Sequence, residues 1–454
     1  MNKFKNIFFI GIGGIGMSAL ARYFQSIGKS VYGYDKTSTA LTRELEKIGM
    51  SIHYTDELNN IPSSLTTENT LVVITPAVPK SHSEWNYFID NGFEIKKRSE
   101  VLGLITKDTY CFAVAGTHGK TTTTGILGHI LYESGVDVTA FVGGIVENYH
   151  SNLIGNGKTV TVVEADEFDR SFLRLHPDMA CVNSMDADHL DIYGDKSHIE
   201  ESFIEFANKI QDKNKLFAPT DVNINATKIG FTDSDEFQAK NIRIENGAYV
   251  FDVKTKEKDI QDIRFHLPGK HNLSNALMAL SMAKTYGVSD ENIKRALANF
   301  KGIERRFSYK IKTDDLVLID DYAHHPTEIN AVYQAVKELY PSKKNIAIFQ
   351  PHLFSRTRDF FDGFAESLSQ FDEVILLDIY PARELPIEGV TSEVLLNKIK
   401  SNNKKLVAKA NLNEAVLNTD AQIIIMIGAG DIGEMVMPLK NILENKIIRK
   451  RFSE

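Results

Sequence analysis

Three times along the chain, a short apolar run is followed by a loop of glycine or polar residues and then by apolar residues at helical spacing. The apolar runs are residues 7–10, 110–115 and 316–319. Runs of this length, bounded by loops and without polar alternation, are typical of strands buried on both faces. Strands that alternate with helices in this way indicate an α/β fold built on parallel sheets.

The remaining apolar runs extend this pattern into three domains. We predict an N-terminal Rossmann-like domain over residues 1–104, a central domain over 105–303 and a C-terminal Rossmann-like domain over 304–454. The central domain is expected to hold a P-loop ATPase-like parallel sheet. Between residues 242 and 267 apolar and polar residues alternate, and Asn246-Gly247 is typical of a hairpin turn, which predicts a small antiparallel excursion.

The loop after the second of these strands predicts a phosphate site. It ends in Gly119-Lys120-Thr121 and leads from a strand into a helix, which is the context in which free backbone N–H groups, a lysine and a hydroxyl hold nucleotide phosphates and Mg²⁺. The general P-loop has a glycine at the position of Val114, so this loop is shorter than the common version. The predicted nucleotide-binding residues are Gly116, Thr117, His118, Gly119, Lys120, Thr121 and Thr122.

A second glycine loop follows the first strand. Gly11, Gly13, Gly14 and Gly16 precede a helix, and Asp35 ends the next strand at the spacing of a dinucleotide-binding fingerprint. Such a loop reports only a diphosphate joined to a ribose, so NAD and a UDP-sugar both fit. Thr75 and Pro76 begin a rigid loop after the third strand, where a ligand crevice is expected.

Acidic and polar residues collect at the ends of later strands. Glu164 closes one strand in the central domain, and His189 follows another within a run of carboxylates. His189 can bind Mg²⁺ or Mn²⁺ or contact a phosphoryl group, and the sequence leaves both open. Asn272 and Asn275 lie at the start of a predicted helix. Asn272 could be its N-cap, or the two amides could contact a purine. Arg306, in a double arginine, can bind a γ-phosphate or carboxylate.

Composition limits the class of protein. The 454 residues carry a net charge of −8, and Lys and Arg occur only in short groups, such as residues 96–98, interpreted as surface; we therefore expect no nucleic-acid partner. Cys111 and Cys181 lie in apolar runs and are expected to be buried, reduced thiols. No apolar run approaches bilayer length, so we expect no membrane insertion and a cytoplasmic location. A monomer or weak homo-oligomer is expected.

Taken together, the ordered motifs resemble those of the Mur ligases of peptidoglycan synthesis. They occur in the same order along essentially the whole chain, at residues 11–18, 116–122, 164–167, 188–191, 271–276, 305–307, 320–328 and 350–352. Within that family the double histidine before Pro326 and the segment 350–358 are most similar to the members that join L-alanine to UDP-N-acetylmuramate. The members that attach a recycled tripeptide, L-Ala-γ-D-Glu-diaminopimelate, to the same sugar nucleotide are the alternative.

The resemblance implies an ATP-dependent ligation through an acyl phosphate, with Mg²⁺ or Mn²⁺, and assigns roles to individual residues. The catalytic residues would be Lys120, Glu164, His189 and Arg306, with the metal on Thr121, Glu164 and His189. ATP would also contact Asn272, Asn275, Arg306 and Asp321. The UDP-sugar would be held by Gly11, Gly13, Gly14, Ile15, Gly16, Met17, Ser18, Asp35, Thr75 and Pro76. L-alanine would be bound by His324, His352, Arg356 and Arg358. Family members often carry arginine where this chain has Leu353, so one carboxylate contact would be either absent or supplied by Arg358.

Two readings from other classes remain as alternatives. An NAD-dependent oxidoreductase built on the first glycine loop predicts hydride transfer without ATP turnover. A P-loop switch protein predicts slow ATP hydrolysis without an acceptor amine. Neither needs acidic strand ends in all three domains.

Overall fold

The computed structural model describes residues 3–185, 196–245, 247–382 and 384–451. They form two compact units, one of Met1–His266 and Ser274–Lys301 and the other of Leu267–Leu273 and Gly302–Glu454. Both units are built of β-sheets packed against helices, so the predicted α/β fold class is confirmed. The division into three domains at residues 104 and 303 stays a prediction.

The N-terminal part of the first unit is a parallel sheet of five strands in the order β3-β2-β1-β4-β5. Phe9 packs into one apolar cluster and Phe8 into another. Both faces of the strand are therefore covered, as in a doubly wound Rossmann-like sheet. The strands are β1 Asn6–Ile10, β2 Ser30–Tyr34, β3 Ser51–His53, β4 Thr70–Ile74 and β5 Glu94–Lys97, and the helices are α1 Ile15–Ser26, α2 Ala40–Lys47, α3 Ser83–Asp90 and α4 Arg98–Lys107.

The rest of this unit is built on a ten-stranded mixed sheet in the order β15-β14-β13-β12-β11-β10-β6-β9-β7-β8. Its middle is parallel and includes β10, β6 and β9 as neighbours. β13, β14 and β15 pair antiparallel, which confirms the predicted excursion. The strands are β6 Tyr110–Ala115, β7 Val138–Val146, β8 Ser151–Ile154, β9 Val160–Glu164, β10 Met179–Val182, β11 Leu216–Pro219, β12 Thr227–Gly230, β13 Phe237–Glu245, β14 Ala248–Lys254 and β15 Ile260–Phe265. The helices are α5 Lys120–Glu133, α6 Lys196–Ala207, α7 Lys270–Tyr286, which runs from one unit into the other, and α8 Asp290–Asn299.

The second unit has a six-stranded sheet in the order β16-β17-β21-β18-β19-β20. Successive residues of its central strand, Ile424 and Ile425, belong to apolar clusters on opposite faces. The strands are β16 Ser308–Lys312, β17 Val317–Asp321, β18 Asn345–Phe349, β19 Glu373–Leu376, β20 Lys404–Leu406 and β21 Ile423–Ile427, and the helices are α9 Pro326–Leu339, α10 Phe354–Asp359, α11 Phe361–Leu368, α12 Ser392–Lys398, α13 Leu412–Leu417 and α14 Ile432–Arg451.

The sequence pattern missed one feature of this second sheet. We predicted a parallel sheet, but the edge strand β16 pairs antiparallel with β17. This short strand exposes Lys312 and is only partly buried, so it lacks the continuous apolar run by which the central strands were identified.

Two further expectations can be compared with the structure. Cys111 and Cys181 are buried free thiols, as predicted. Across the described ranges, none of the helices combines the length and the apolar character needed to cross a bilayer.

Asp321, at the end of β17, fastens the start of the second unit to its sheet. Its Oδ2 accepts a hydrogen bond from the backbone N–H of Phe307 at 2.7 Å, and its Oδ1 accepts one from Ala323 at 2.7 Å. Burial raises the pKa of Asp321 to about 7, because these two hydrogen bonds and the charge on Arg306 only partly offset the loss of solvation.

We predict that this carboxyl group makes the stability of the second unit depend on pH. A carboxyl group whose pKa is raised by folding stabilises the folded state fully below its unfolded pKa of 3.8, and that contribution is lost as pH rises through about 7. Asp321→Asn should therefore be less stable than the unmodified protein at low pH, because its amide NH₂ cannot accept a backbone N–H. It should also lose less stability between about pH 4 and pH 7.

Scanning calorimetry over this pH range gives the change of stability with pH for the unmodified protein and for Asp321→Asn. Asp320, whose pKa burial raises to about 6, is present in both proteins and cancels from the comparison. Equal slopes in the two proteins would show that Asp321 is already ionised throughout this range.

Candidate functional site

The phosphate loop joins the end of β6 to the start of α5. Gly116 and Gly119 have φ angles of +123° and +81°, in the region that favours glycine. The loop is held against the segment that follows β10. The Thr117 N–H donates to the carbonyl of Ser184 at 3.2 Å, and the His118 N–H donates to the Ser184 hydroxyl at 2.9 Å. A Cβ at Gly116 would lie 2.8 Å from the backbone nitrogens of Asn183 and Ser184, so the turn requires glycine.

Lys120, the first residue of α5, lies within the loop. Its Nζ donates to the carbonyl of Gly116 at 2.7 Å and lies 2.9 Å from Glu167 Oε2. Burial alone would lower the pKa of Lys120, but the nearby carboxylates of Glu167, Asp166 and Glu164 raise it above its ordinary value. The ammonium is thus held charged at the mouth of the loop, which is the state needed to bind a phosphate.

Glu164 and Thr121 bring a carboxylate and a hydroxyl together beside the lysine. Glu164 ends β9; its Oε1 accepts the Gly143 N–H at 2.5 Å, and its side chain hydrogen-bonds to Thr121. Burial raises the pKa of Glu164 despite these hydrogen bonds. Oxygen ligands of these two kinds are the ones that Mg²⁺ prefers, and a cation would favour the carboxylate form. The pair therefore fits a nucleotide-bound Mg²⁺. His189 lies outside the described residues, and Thr122 is buried in the first turn of α5.

The two predicted amides lie in different surroundings. In the first unit, Asn275 Oδ1 accepts a hydrogen bond from the Thr123 hydroxyl at 3.2 Å and lies against Gly119. In the second unit, the side chain of Asn272 donates to the carbonyl of Pro268 at 2.7 Å. Its helix begins at Lys270, so the interpretation of Asn272 as an N-cap is wrong. Asn275 thus belongs to the phosphate-loop assembly.

The N-terminal glycine loop is tightly constrained. A Cβ at Gly11, whose φ is +88°, would lie 2.8 Å from Thr75 Cγ2. The Gly13 N–H donates to Asp35 Oδ2 at 2.7 Å, so Asp35 fastens the loop as well as being a predicted ribose ligand. The loop ends at Gly14, which precedes the first residue of α1.

A cavity of about 270 Å³ connects this glycine loop with the acidic end of β9. We call it the front cavity; the residues that line it are Gly14, Ile15, Gly16, Met17, Ala19, Leu20, Thr75, Arg98, Leu102, Phe141, Val142, Gly143, Glu164 and Asp166. It therefore brings Gly14, Ile15, Gly16, Met17 and Thr75 together with Glu164. Pro76 is exposed in the loop after Thr75, and Ser18 is fully buried, with its hydroxyl 2.9 Å from the Asn152 amide nitrogen that donates to it.

Arg98 is a site residue that sequence reasoning missed. It was interpreted as surface charge, but it lines the front cavity, where its guanidinium packs beside Gly16 and lies 3.7 Å from Asp166 Oδ2. Only the packing of α4 brings it there, and no local pattern reports that. Sequence reasoning also missed Glu167, Asn183 and Ser184. All three follow the carboxyl ends of strands, where ligands bind in α/β sheets, and could have been proposed on that ground.

In the second unit, Arg306 lies among Asp321, His324 and Tyr322. Its guanidinium carbon is 5.5 Å from the centre of the Tyr322 ring, and its charge acts on both Asp321 and His324. The preceding residue, Arg305, has a φ of +60° and donates to the carbonyl of Gly428 at 2.6 Å. The double arginine therefore lies at the carboxyl ends of the strands, where the hydrogen bond from Arg305 to Gly428 fixes its position.

The predicted amino-acid residues only partly converge. The rings of His324 and His352 are 6.3 Å apart, and Arg356 Nη1 lies 3.5 Å from His352 Nδ1. Burial lowers the pKa of His324 despite the nearby Glu328 carboxylate, which favours the neutral imidazole. Arg358 is exposed on α10 and pairs with Asp359, its neighbour in the chain.

Arg356 and Arg358 are two residues apart and so point away from each other on the helix. The structure therefore brings His324, His352 and Arg356 together and leaves Arg358 outside the group. Tyr380, which stacks on His352 with ring centres 5.6 Å apart, was missed. Leu353 has a φ of +71° and turns the chain between His352 and α10.

Comparison with known proteins agrees with these features. Residues 6–110 match the model of the Mur ligase family catalytic domain, residues 114–283 the Mur ligase middle domain, and residues 305–431 the Mur ligase glutamate ligase domain. The UDP-N-acetylmuramate--L-alanine ligase of Flavobacterium johnsoniae is 65% identical over 98% of this chain and 100% of its own length. The enzyme of the same name from Christiangramia forsetii is 58% identical over 98% of each chain.

Solved structures extend the comparison. The UDP-N-acetylmuramate-alanine ligase of Thermotoga maritima superposes with a TM-score of 0.81 at 27% identity, covering 99% of this chain and 100% of that one. A murein peptide ligase from Psychrobacter arcticus shares the fold, with a TM-score of 0.69 at 23% identity over 97% of this chain and 99% of its own. The extent of these matches along the whole chain, together with the geometry of the phosphate loop and the front cavity, shows that the chain belongs to the Mur ligase family.

Proposed function

We propose that the protein joins L-alanine to UDP-N-acetylmuramate at the expense of ATP. The observation that carries this proposal is the front cavity, which connects a diphosphate-type glycine loop to Glu164 beside the phosphate loop. A sugar nucleotide held at the glycine loop would extend toward the γ-phosphate of an ATP on Lys120. The relatives that match the whole chain at 65% and 58% identity are named for this activity.

The reaction proceeds in two balanced steps. An oxygen of the substrate carboxylate attacks the γ-phosphorus of ATP, the bond to the bridging oxygen breaks, and ADP leaves with that electron pair. The amine of L-alanine, after losing a proton, then attacks the carbonyl carbon of the acyl phosphate, and inorganic phosphate leaves as the amide forms. Both reactants of the first step are anions, so the site must offset their repulsion.

The residues of the first unit supply that charge. Lys120 would bind the β- and γ-phosphates, together with the backbone N–H groups at the start of α5, residues 120–122, since those of Thr117 and His118 already donate to Ser184. When bound, Mg²⁺ on Thr121 and Glu164 would supply further positive charge at the transferring phosphoryl group. Arg98 in the front cavity is a cation on the side where the sugar nucleotide enters. The roles of His189 as a further metal ligand and of Asn275 in contacting the nucleotide stay predictions.

In the second unit, we propose that His352 and Arg356 bind the carboxylate of L-alanine, with Tyr380 fixing the plane of the His352 ring. His324 is kept neutral by burial and can accept a proton, which suits it to act on the ammonium group. Arg306, Asn272 and Asp321 remain the proposed ATP ligands of this unit, although both oxygens of Asp321 already accept backbone N–H groups. Arg358 stays a weaker candidate because Asp359 neutralises it.

The alternative functions are not favoured. The high-identity relatives are alanine ligases over their full lengths, whereas the murein peptide ligase structure, at 23% identity, shows the fold alone. Membership of an ATP-dependent ligase family overturns the NAD-dependent oxidoreductase and leaves the P-loop switch without support. We accordingly propose that the first glycine loop binds a UDP-sugar.

Phosphate release tests the choice of amine. With ATP, Mg²⁺ and UDP-N-acetylmuramate present, we expect release to depend on L-alanine and to stay at background with the tripeptide L-Ala-γ-D-Glu-diaminopimelate or with no amine. Stimulation by the tripeptide alone would assign the recycling reaction instead. Release that ignores both amines and the sugar nucleotide would leave an ATPase.

Lys120→Ala tests the phosphate loop. Removing the ammonium that faces the transferring phosphoryl group should lower kcat by about 10²–10³ or more. The exposed Lys47 on α2 gives a matched control, and Lys47→Ala should leave kcat unchanged. Normal ligation by the Lys120 variant, measured in the same assay, would place the nucleotide elsewhere.

Arg98→Gln tests the front cavity. Without the guanidinium, we expect the KM for UDP-N-acetylmuramate to rise about tenfold, in keeping with loss of a charge-assisted hydrogen bond, while the KM for ATP changes little. Arg43→Gln, at an exposed arginine of α2, is the control and should match the unmodified protein. An unchanged KM for UDP-N-acetylmuramate in the Arg98 variant would show that the sugar nucleotide does not contact this residue.

A further inference from the structure

A second cavity of about 360 Å³ lies in the first unit, away from the phosphate loop. Its lining comes from the last turns of α1 and α4, from the residues that follow these two helices, and from Gly157, Lys158 and Thr161 around the start of β9. The front cavity, in contrast, is lined by the start of α1, the start of α4 and the end of β9. The second cavity, which we call the rear cavity, is therefore at the opposite end of the same elements.

We propose that the rear cavity binds a small organic anion, a molecule with a phosphate, sulfonate or carboxylate group on an apolar body. Its volume lies within the range of about 300–1,000 Å³ that small-molecule sites occupy. Its lining divides into an apolar wall, which would contact the apolar body of such a ligand, and a basic rim, which would contact its anionic group.

The apolar wall is made by α1 and α4. Phe24 and Ile105 are buried at its base, Ile27 is partly buried, and Leu104 leaves 39% of its surface exposed although it lines the cavity. The ring of Tyr23 adds an aromatic surface, held edge-on to Phe24 with centres 5.4 Å apart. An apolar body placed here would cover surface that is now in contact with water.

The basic rim carries three lysines, Lys29, Lys107 and Lys158, against one aspartate, Asp108. They come from three different parts of the chain, so their convergence results from the fold and not from a local charge run. Lys29 is fixed in place, because its Nζ donates to the carbonyl of Phe4 at 2.6 Å, and it retains two further N–H donors.

The loop that carries Lys158 is also fixed. The carboxylate of Asp137 accepts the backbone N–H groups of Lys158 and Thr159 at 2.9 and 3.1 Å. A Cβ at Gly157 would lie 2.1 Å from the backbone carbonyl carbon of Asp137, so the turn is closely packed. Thr109 and Thr161 also line the cavity; their hydroxyls are 2.8 Å apart and offer polar contacts to an anionic head group. Lys29 and the backbone that carries Lys158 are therefore held in place before any ligand binds.

Phenyl phosphate is a suitable probe, because it joins an aromatic body to a phosphate. Its binding to the full-length protein is measured by isothermal titration calorimetry, with UDP and AMP-PNP–Mg²⁺ saturating so that the front cavity and the phosphate loop are occupied. We expect saturable binding that is about tenfold or more weaker in Lys107→Glu/Lys158→Glu. Lys47→Glu makes the same kind of charge reversal outside the cavity and should bind as the unmodified protein does.

The apolar wall has its own readout. Inorganic phosphate should bind markedly more weakly than phenyl phosphate. Leu104→Gln should reduce this difference in affinity, because it removes part of the apolar wall. Both lysines are exposed, so the double variant should keep its melting temperature; if it does not fold, the single change Lys158→Gln gives the same comparison with a smaller expected loss. Absence of binding, binding that charge reversal leaves unchanged, or equal affinity for the two phosphates would each overturn the proposal.

Discussion

The site depends on one partly buried ammonium group held among carboxylates. Lys120 is bound by Glu167 and by carbonyls of its own loop, and Glu164 and Asp166 add negative charge nearby. This arrangement keeps the lysine charged and in place before any nucleotide binds. It also leaves the neighbourhood with more negative than positive charge, so two further anions, a triphosphate and a sugar carboxylate, cannot enter without additional cations. We propose that Arg98 and a Mg²⁺ ion held by Thr121 and Glu164 would supply this positive charge.

The fold explains why these groups meet. In each parallel sheet, loops that leave the carboxyl ends of neighbouring strands share one edge, and here β6, β9 and β10 are adjacent. β6 delivers the phosphate loop, β9 delivers Glu164, and the segment after β10 supports the loop through Ser184. The first sheet brings its glycine loop to the same front cavity. The positions of these groups therefore follow from strand order.

Much of this could be predicted from the sequence because the signals are local. Buried parallel strands appear as continuous apolar runs, and the strands Ser30–Tyr34, Tyr110–Ala115 and Ile423–Ile427 occur where the pattern indicates. The glycines of both loops are also a local signal, since Gly11 and Gly116 occupy backbone conformations that other residues rarely adopt.

The details that the sequence pattern did not indicate depend on how the chain packs. Arg98 belongs to a basic triplet that looks like solvated surface, and only the packing of α4 brings it to the front cavity. Asn272 looks like a helix cap, yet its helix begins two residues earlier and its amide binds Pro268. Arg358 stays a prediction as the replacement for an arginine absent at Leu353, although the helical spacing turns it away from Arg356. Such relations lie in the three-dimensional neighbourhood of a residue and not in its sequence pattern.

Activation of the sugar-nucleotide carboxylate by direct attack on ATP can be tested by following the oxygen atoms of that carboxylate. UDP-N-acetylmuramate labelled with ¹⁸O in the lactyl carboxylate is incubated with ATP, Mg²⁺ and L-alanine, and the released phosphate is analysed by ³¹P NMR or mass spectrometry. An acyl-phosphate route transfers one ¹⁸O atom to each phosphate and leaves the other in the amide. Unlabelled phosphate, formed at the same rate as the amide, would contradict this account of the site.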